Sequence, residues 1–379
     1  MSLLSVSAVR LFLLTAACIT LSFLAGCSHR NSAAATPAKT LAQIVREAQA
    51  QNPIPGLAAA YVTSLRVEIA VAGVRKSGTA DMVQAEDQFH LGSNIKAMTS
   101  MVAASLVESE LIGWDSRVID VLPELAAEIL PTYQVVTLED LLRHRAGVMA
   151  LDDAAALALV PELSGAVSQQ RAAFSRWALQ QSPAATPGKD FLYSNAGYVV
   201  ASAMLERVSG QAYEQLLQER VLKPLGLKGK FGWPADGDSS QPWGHEVING
   251  NPVAADPTAA QNQFPAWLTP AGNLSMSVAD YARFAQIHLL ALRGQPALLG
   301  MESYIKMHTT ADGYALGWAP AVVNGVPCNA HLGASGLFSA VIIVEPAGDK
   351  AVVVLANADG ETVEDAVWQL AQEIHANIK

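Results

Sequence analysis

The chain reads as an α+β protein. An antiparallel sheet is formed by both chain ends and flanked by helices, with a mostly helical lobe inserted between its halves. Three observations predict this. Strand-length apolar runs lie early, at Leu57 to Thr63 and Val67 to Val74, and late, at about 314–323, 326–334, 337–344 and 350–357. The stretch between, about 112–225, is helical in pattern and loop-rich. Asn324-Gly325, flanked by Val322-Val323 and Val326, is a two-residue hairpin signal, and such a hairpin joins antiparallel neighbours.

The elements follow in order. Thr40 to Gln51 is a helix with Leu41, Ile44 and Ala48 on one face, ended by Pro53-Ile54-Pro55-Gly56. A hairpin of the two early strands comes next. Ser93 opens a helix whose apolar period is Met98, Val102, Leu106. Within the lobe, Gln169 to Leu179 and Tyr198 to Val208 are the clearest helices, and Gly210 stops the second. Residues 228–270, rich in Pro, Gly, Asn and Trp, are expected to be irregular and to line a cleft. Ser277 to Leu292 is a helix. The late strands form a meander, with a second turn at Ala347-Gly348-Asp349. Glu361 to Ile378 closes the chain as an amphipathic helix, apolar at Val363, Val367, Leu370 and Ile374.

Composition narrows the function. Hydrophobic residues make up 51% and charged residues 15%, enough for a large core, and such a length divides into more than one lobe. The formal charge of −10, with no basic stripe, excludes a nucleic-acid binder. No phosphate loop or dinucleotide fingerprint is present. His245-Glu246 lacks the second histidine of a zinc-protease helix, and the histidines at 90, 144, 245, 288, 308 and 375 show no ligand spacing. No metal and no cofactor are expected.

The chemistry concentrates at Ser93-Asn94-Ile95-Lys96. Positions i and i+3 share a helix face, so the hydroxyl and the amine can meet without help from elsewhere. A serine needs such a base to become a nucleophile. A helix N-terminus adds free N–H groups where an oxyanion would form. A bare Ser-x-x-Lys is common by chance. Tyr193-Ser194-Asn195 follows in a loop after Pro187-Gly188, and His331-Leu332-Gly333 lies in a strand. Ser335, in Gly333-Ala334-Ser335-Gly336, does not form a Gly-x-Ser-x-Gly elbow.

The order Ser-x-x-Lys, Tyr-x-Asn, His-x-Gly resembles the serine β-lactamase and penicillin-binding-protein superfamily, in its class C β-lactamase, DD-peptidase and esterase branch. Leu141 to Gly147, Thr186-Pro187-Gly188, Pro224 to Leu227, Ala271 to Leu274 and Tyr314 to Trp318 resemble it too, over roughly residues 40–378. The resemblance implies a β-lactamase/transpeptidase-like fold with the cleft between lobes. It implies Ser93 as acylated nucleophile, with Lys96 and Tyr193 as a joint proton relay. Asn195 would hold the relay and bind a substrate amide. The N–H groups of Ser93 and Ala334, just after Gly333, would face the oxyanion. His331, standing where β-lactamases proper usually carry Lys, would donate to a substrate carboxylate or to Tyr193 and lose its charge near pH 6.5. The function implied is hydrolysis of an amide, ester or β-lactam through an acyl-enzyme, peptidase- or esterase-type ahead of a true β-lactamase. A non-catalytic penicillin- or peptidoglycan-binding protein is the alternative.

The chain start carries its own signals. Residues 1–26 read as an export signal, with Arg10 before the apolar run Leu11 to Leu24. Leu24-Ala25-Gly26-Cys27 matches the bacterial lipobox, which implies lipidation of Cys27 and a periplasmic, membrane-anchored protein, on the outer membrane if the source is Gram-negative. Residues 27–39 are then a flexible tether, and 40–379 the hydrolase domain acting on a small molecule or peptidoglycan peptide. Cys328 is left unpaired and is expected to be a packed, inert residue.

Overall fold

The computed structural model describes residues 39–310 and 313–378. The export signal, Cys27 and all of the tether except Lys39 lie outside them. Lys39 pairs with Glu47 and Glu373.

A six-stranded antiparallel sheet forms the centre. Its strands are β1 (Gly56–Val62), β2 (Val67–Gly73), β3 (Ala319–Val323), β4 (Val326–Ala334), β5 (Ser339–Glu345) and β6 (Lys350–Ala356). Their order across the sheet is β2-β1-β6-β5-β4-β3. The N-terminal hairpin thus pairs with the last strand, Leu57 facing Ala356, and the two chain ends close one sheet. Every residue of β1 and β5 is buried, because helices cover both faces. One face packs Leu57, Ala59, Val352 and Val354 against α1 (Leu41–Gln51) and the C-terminal helix Glu361–Asn377. The other packs Ala58, Ala60, Val353 and Leu355 into the larger core shared with the helical lobe.

That lobe is built on α2 (Ile95–Glu108), α3 (Val167–Ala178) and α4 (Asn195–Ser209), which ends at Gly210 with φ +70°. Arg171, fully buried, ties it together by ion pairs to Glu206 and Glu214, both at 2.7 Å.

Three elements differ from expectation. The strand expected over 314–323 begins only at Ala319. Gly317, at φ +81°, turns the preceding segment onto α2, where a Cβ would lie 2.5 Å from Ala97 Cα. The stretch 228–270 contains a small hairpin, His245–Ile248 paired with Asn251–Ala254, turned by Asn249-Gly250 with both φ positive. This is the same dipeptide signal as Asn324-Gly325, hidden by its irregular surroundings. A short strand Gln88–His90 pairs with Ser275–Ser277 and delivers the chain to Ser93.

Candidate active site

Ser93 does not open the α-helix itself. It sits in a single 3-10 turn, Gly92–Asn94, from which α2 runs on at Ile95. Two glycines fix this turn against the sheet. Gly92 has φ +51°, and a Cβ there would lie 2.6 Å from Ala334 O. A Cβ on Gly333 would lie 2.1 Å from Leu91 O. Only hydrogen at both positions lets β4 approach the serine turn so closely.

The approach orients Ala334. Beyond β4, Ser335 N–H bonds Phe338 O at 3.1 Å. Bonded and non-bonded pairs alternate along an antiparallel ladder, so the next pair, Ala334 with Ser339, is of the non-bonded kind. The Ala334 N–H therefore points away from β5, toward the serine turn. Ser335 is spent in its turn, with Oγ bonded to Phe338 O and N–H bonded to Asp359, which removes it as a rival nucleophile.

Lys96 is completely buried, and its Nζ meets three oxygens: Ser93 Oγ at 3.0 Å, Asn195 Oδ1 at 2.7 Å and Ala271 O at 2.7 Å. None is a carboxylate. Burial holds the amine well below its usual pKa. A neutral amine has two N–H donors and one lone pair. Asn195 Oδ1 and Ala271 O can only accept, so they take both hydrogens. The lone pair then faces the Ser93 hydroxyl, the one partner able to donate. Thr99 secures the 270–271 carbonyls to α2 by donating to Pro270 O at 2.8 Å.

Tyr193 is buried, its ring 4.8 Å from Lys96 Nζ and 4.1 Å from the His144 ring. Burial pushes its phenol far above the ordinary tyrosine range, opposed chiefly by the neighbouring Ser93 hydroxyl. That proximity falls short of a hydrogen bond of ordinary geometry, so the Tyr193 hydroxyl is unpaired among the described residues. The two groups, alike in water, are thus driven apart in opposite directions by the same burial.

Two sequence expectations need correction. Asn195 holds Lys96, and its Nδ2 spends one of its two N–H groups on Leu151 O at 2.9 Å, so only one remains for the substrate amide it was expected to bind. Ser194 caps α4, its Oγ accepting from Gly197 N–H. His331 is buried, with a pKa lowered to about 3 by burial and by Lys96, so it carries no charge near pH 6.5. Its Nδ1 faces Asn94 Oδ1 at 2.9 Å and Leu332 O at 2.8 Å, and its Nε2 meets Tyr314 Oη at 2.9 Å. With two acceptors at Nδ1, the proton resides there and Tyr314 donates to Nε2. His331 is a neutral clamp.

Tyr314 and His144 escaped the sequence reading as site residues. His144, at φ +58°, packs its ring against Tyr193 and accepts the Ser194 N–H at 3.0 Å, so it holds the tyrosine loop from behind. The resemblance at Leu141 to Gly147 and Tyr314 to Trp318 was the available signal. Far from the cleft, His375 pairs with Glu345 at 2.7 Å, and their ligand atoms lie within 4.8 Å of Cys328 Sγ. Sequence spacing could not reveal this grouping. Asn324 donates to His375 Nδ1, so both ring nitrogens are used within the protein. The Cys328 thiol is buried, its pKa pushed up to about 11, which makes it inert.

The constellation can now be compared with known proteins. The β-lactamase family profile matches residues 41–376. The chain belongs to the β-lactamase family. It is 25% identical over 325 residues to penicillin-binding protein 4 of Amycolatopsis lactamdurans, covering 81% of this chain and 82% of that one. It is 25% identical over 342 residues to the unguisins hydrolase ungD of Aspergillus violaceofuscus, covering 80% of this chain and 58% of ungD. It thus spans little more than half of that relative's length. Among solved structures, the octameric penicillin-binding protein homologue from Pyrococcus abyssi superposes with a TM-score of 0.72 at 24% identity, over 89% of this chain and 77% of that one. SurE superposes with a TM-score of 0.69 at 22% identity, over 87% and 73%. This β-lactamase-family protein is therefore an enzyme of the serine hydrolase type.

Two tests follow. Gly333→Ala should lower kcat by about 100-fold or more, the scale of losing one oxyanion donor, because the new methyl forces β4 off the serine turn. Steady-state kinetics with a chromogenic ester checks this, and near-normal kcat would contradict it. The second concerns stability. His90 (about 4), His288 (about 3), His331 (about 3), His144 and His308 are all held below their ordinary pKa by burial. Each takes a proton near pH 6.5 only when unfolded, so stability is whole above that pH and is lost as pH falls toward about 3. Urea midpoints should drop steeply from pH 6.5 to 4, and an unchanged midpoint would refute the buried neutral state.

Proposed function

We propose that this enzyme hydrolyses an ester or amide by way of an acyl-serine at Ser93, in the manner of a peptidase or esterase rather than an efficient β-lactamase. One observation carries the reading: a buried lysine whose two acceptor-only neighbours leave its lone pair for a serine hydroxyl.

The geometry supports the following steps. As Ser93 Oγ bonds to the substrate carbonyl carbon, its proton passes to Lys96 Nζ. The C=O electron pair moves onto oxygen, facing the Ser93 and Ala334 N–H groups. Tyr193, held protonated, hands a proton to the leaving oxygen or nitrogen as its bond to carbon breaks, and Lys96 restores the phenol. Water then attacks the acyl ester by the reverse relay, releasing the acid and the Ser93 hydroxyl. Lys96 accepts first because burial disfavours its charged form, whereas the same burial disfavours the tyrosinate. Holding an ordinary lysine neutral at pH 7 costs roughly 4.6 kcal/mol, which the fold supplies in advance.

Against a true β-lactamase stands His331. It offers no positive charge to a substrate carboxylate, and Lys96, itself held neutral by burial, offers none either.

Fluorophosphonate labelling and ester hydrolysis test the assignment. Both should vanish in Ser93→Ala and fall by at least about 1000-fold in Lys96→Met, a loss on the scale of removing an activating base. Wild-type kcat/KM should rise with pH through the lowered lysine pKa, with no falling limb at pH 6–7.5. Labelling that survives in Ser93→Ala would dismiss the acyl-serine, and no labelling of wild type would favour a pure binder.

We also infer that the enzyme acts from a membrane surface, tethered through Cys27. The lipobox and apolar run support this reading. Expressed in a bacterium, the full chain should partition into detergent phase and incorporate radiolabelled palmitate, and Cys27→Ser should lose both. Palmitate incorporation persisting in Cys27→Ser would reject the anchor.

A further inference from the structure

Three hydrogen bonds lead from the Ser93 hydroxyl to the loop before Asp152. Lys96 Nζ bridges Ser93 Oγ and Asn195 Oδ1, and Asn195 Nδ2 donates to Leu151 O. The start of α4 grips the same loop twice more. Ser194 Oγ donates to Met149 O at 2.6 Å, and Asn195 N–H donates to Ala150 O at 2.8 Å. Three successive carbonyls are thereby held, and the buried Leu151 is forced to φ +54°, a conformation a leucine rarely takes. Strain of this kind persists only where the surroundings impose it, and it gathers at functional sites.

What the strained loop presents is Asp152. Its side chain is half-buried and makes no hydrogen bond or ion pair with another residue among those described. The adjacent Asp153 differs: it caps the following helix by accepting Ala156 N–H at 2.7 Å. Folding thus uses Asp153 and leaves Asp152 unused. The Asp152 charge also reaches Tyr193, helping to keep the phenol protonated, so the carboxylate is electrostatically part of the same cleft. Beyond Ala334, past the turn at Gly336-Leu337, a cavity of about 220 Å³ is lined by Ile248 and Val253 with Glu246 and Asp256, and by no lysine or arginine.

We propose that Asp152 is a specificity-determining residue that pairs with a protonated amine on the substrate, so that the enzyme takes α-amino acyl esters or amides in preference to their N-blocked counterparts. This rests on the hydrolase reading above and names its substrate class. An α-amine lies two bonds from the carbonyl carbon, so it falls beside Ser93 whatever the leaving group.

The test compares D- and L-alanine p-nitroanilides, each with a free and an N-acetylated amine, with p-nitrophenyl acetate as a neutral reference. Wild type should favour a free-amine substrate in kcat/KM. D152N should lower that free-to-acetylated ratio about tenfold, equivalent to about 1.4 kcal/mol, mainly through KM, and D152E should restore much of it. A residue that merely shapes the loop would depress kcat on both substrates alike and leave the ratio unmoved. That result, or a wild type indifferent to acetylation, overturns the proposal. If D152N fails to take a Ser93-dependent fluorophosphonate label, D152E carries the comparison. Hydrolysis of p-nitrophenyl acetate without amine preference defeats only the Asp152 assignment, whereas no hydrolysis of any substrate defeats the acyl-serine reading beneath it.

Discussion

The burial of one amine organises this molecule. Lys96 has no counter-ion among the described residues; its Nζ touches a serine hydroxyl, an asparagine oxygen and a backbone carbonyl. A charged lysine so placed would be desolvated without compensation, so the neutral form prevails. Its partners come from three separate parts of the chain, the serine turn, the start of α4 and the 269–272 segment. Each must be held firmly for the lone pair to stay aimed, and much of the polar architecture does this. Thr99 anchors the Pro270 carbonyl, His144 supports Ser194, and Leu151 fixes the Asn195 amide.

The same requirement explains why the site sits at the seam between sheet and lobe. The sheet contributes β4, second from its edge, whose ladder alternation turns the Ala334 N–H away from β5 toward the serine turn. The lobe contributes Tyr193 and Asn195 from α4 and the loop before it. The serine turn lies between, and Gly92 and Gly333 remove the side-chain atoms that would hold the two halves apart. The hydrophobic core is shared across this seam, so Ala58 and Val353 of the sheet belong to the same cluster as Val199 and Tyr213 of the lobe. A shared core resists relative motion of the halves.

Much of this was legible in the sequence where the signal is local. The period of α2, the Gly210 stop and the Asn324-Gly325 turn express short-range backbone preferences, and the elements appear there. The three motifs identified Ser93, Lys96, Tyr193, Asn195 and His331, and the structure brings them together with Gly333 and Ala334. The failures share one cause. His331 was read with the pKa of a solvated histidine, and Asn195 with both amide N–H groups available, because the sequence cannot say that Tyr314, Asn94 and Leu151 reach them first. Residues 314–318 were read as strand because their apolar pattern suits one, whereas Gly317 packs them on a helix instead.

By itself the sequence determined the fold class, the proposed nucleophile and the pairing of that serine with a lysine one helical turn away, since i and i+3 meet in any helix. Only the tertiary structure decided the protonation states. Lys96, Tyr193 and His331 have ordinary pKa values as residue types. Their opposite shifts arise from water excluded by distant segments and from the acceptors those segments carry. The tertiary structure likewise separated Asp152 from Asp153, neighbours of identical chemistry, by using one as a helix cap and leaving the other half-buried without a hydrogen-bond partner among the described residues.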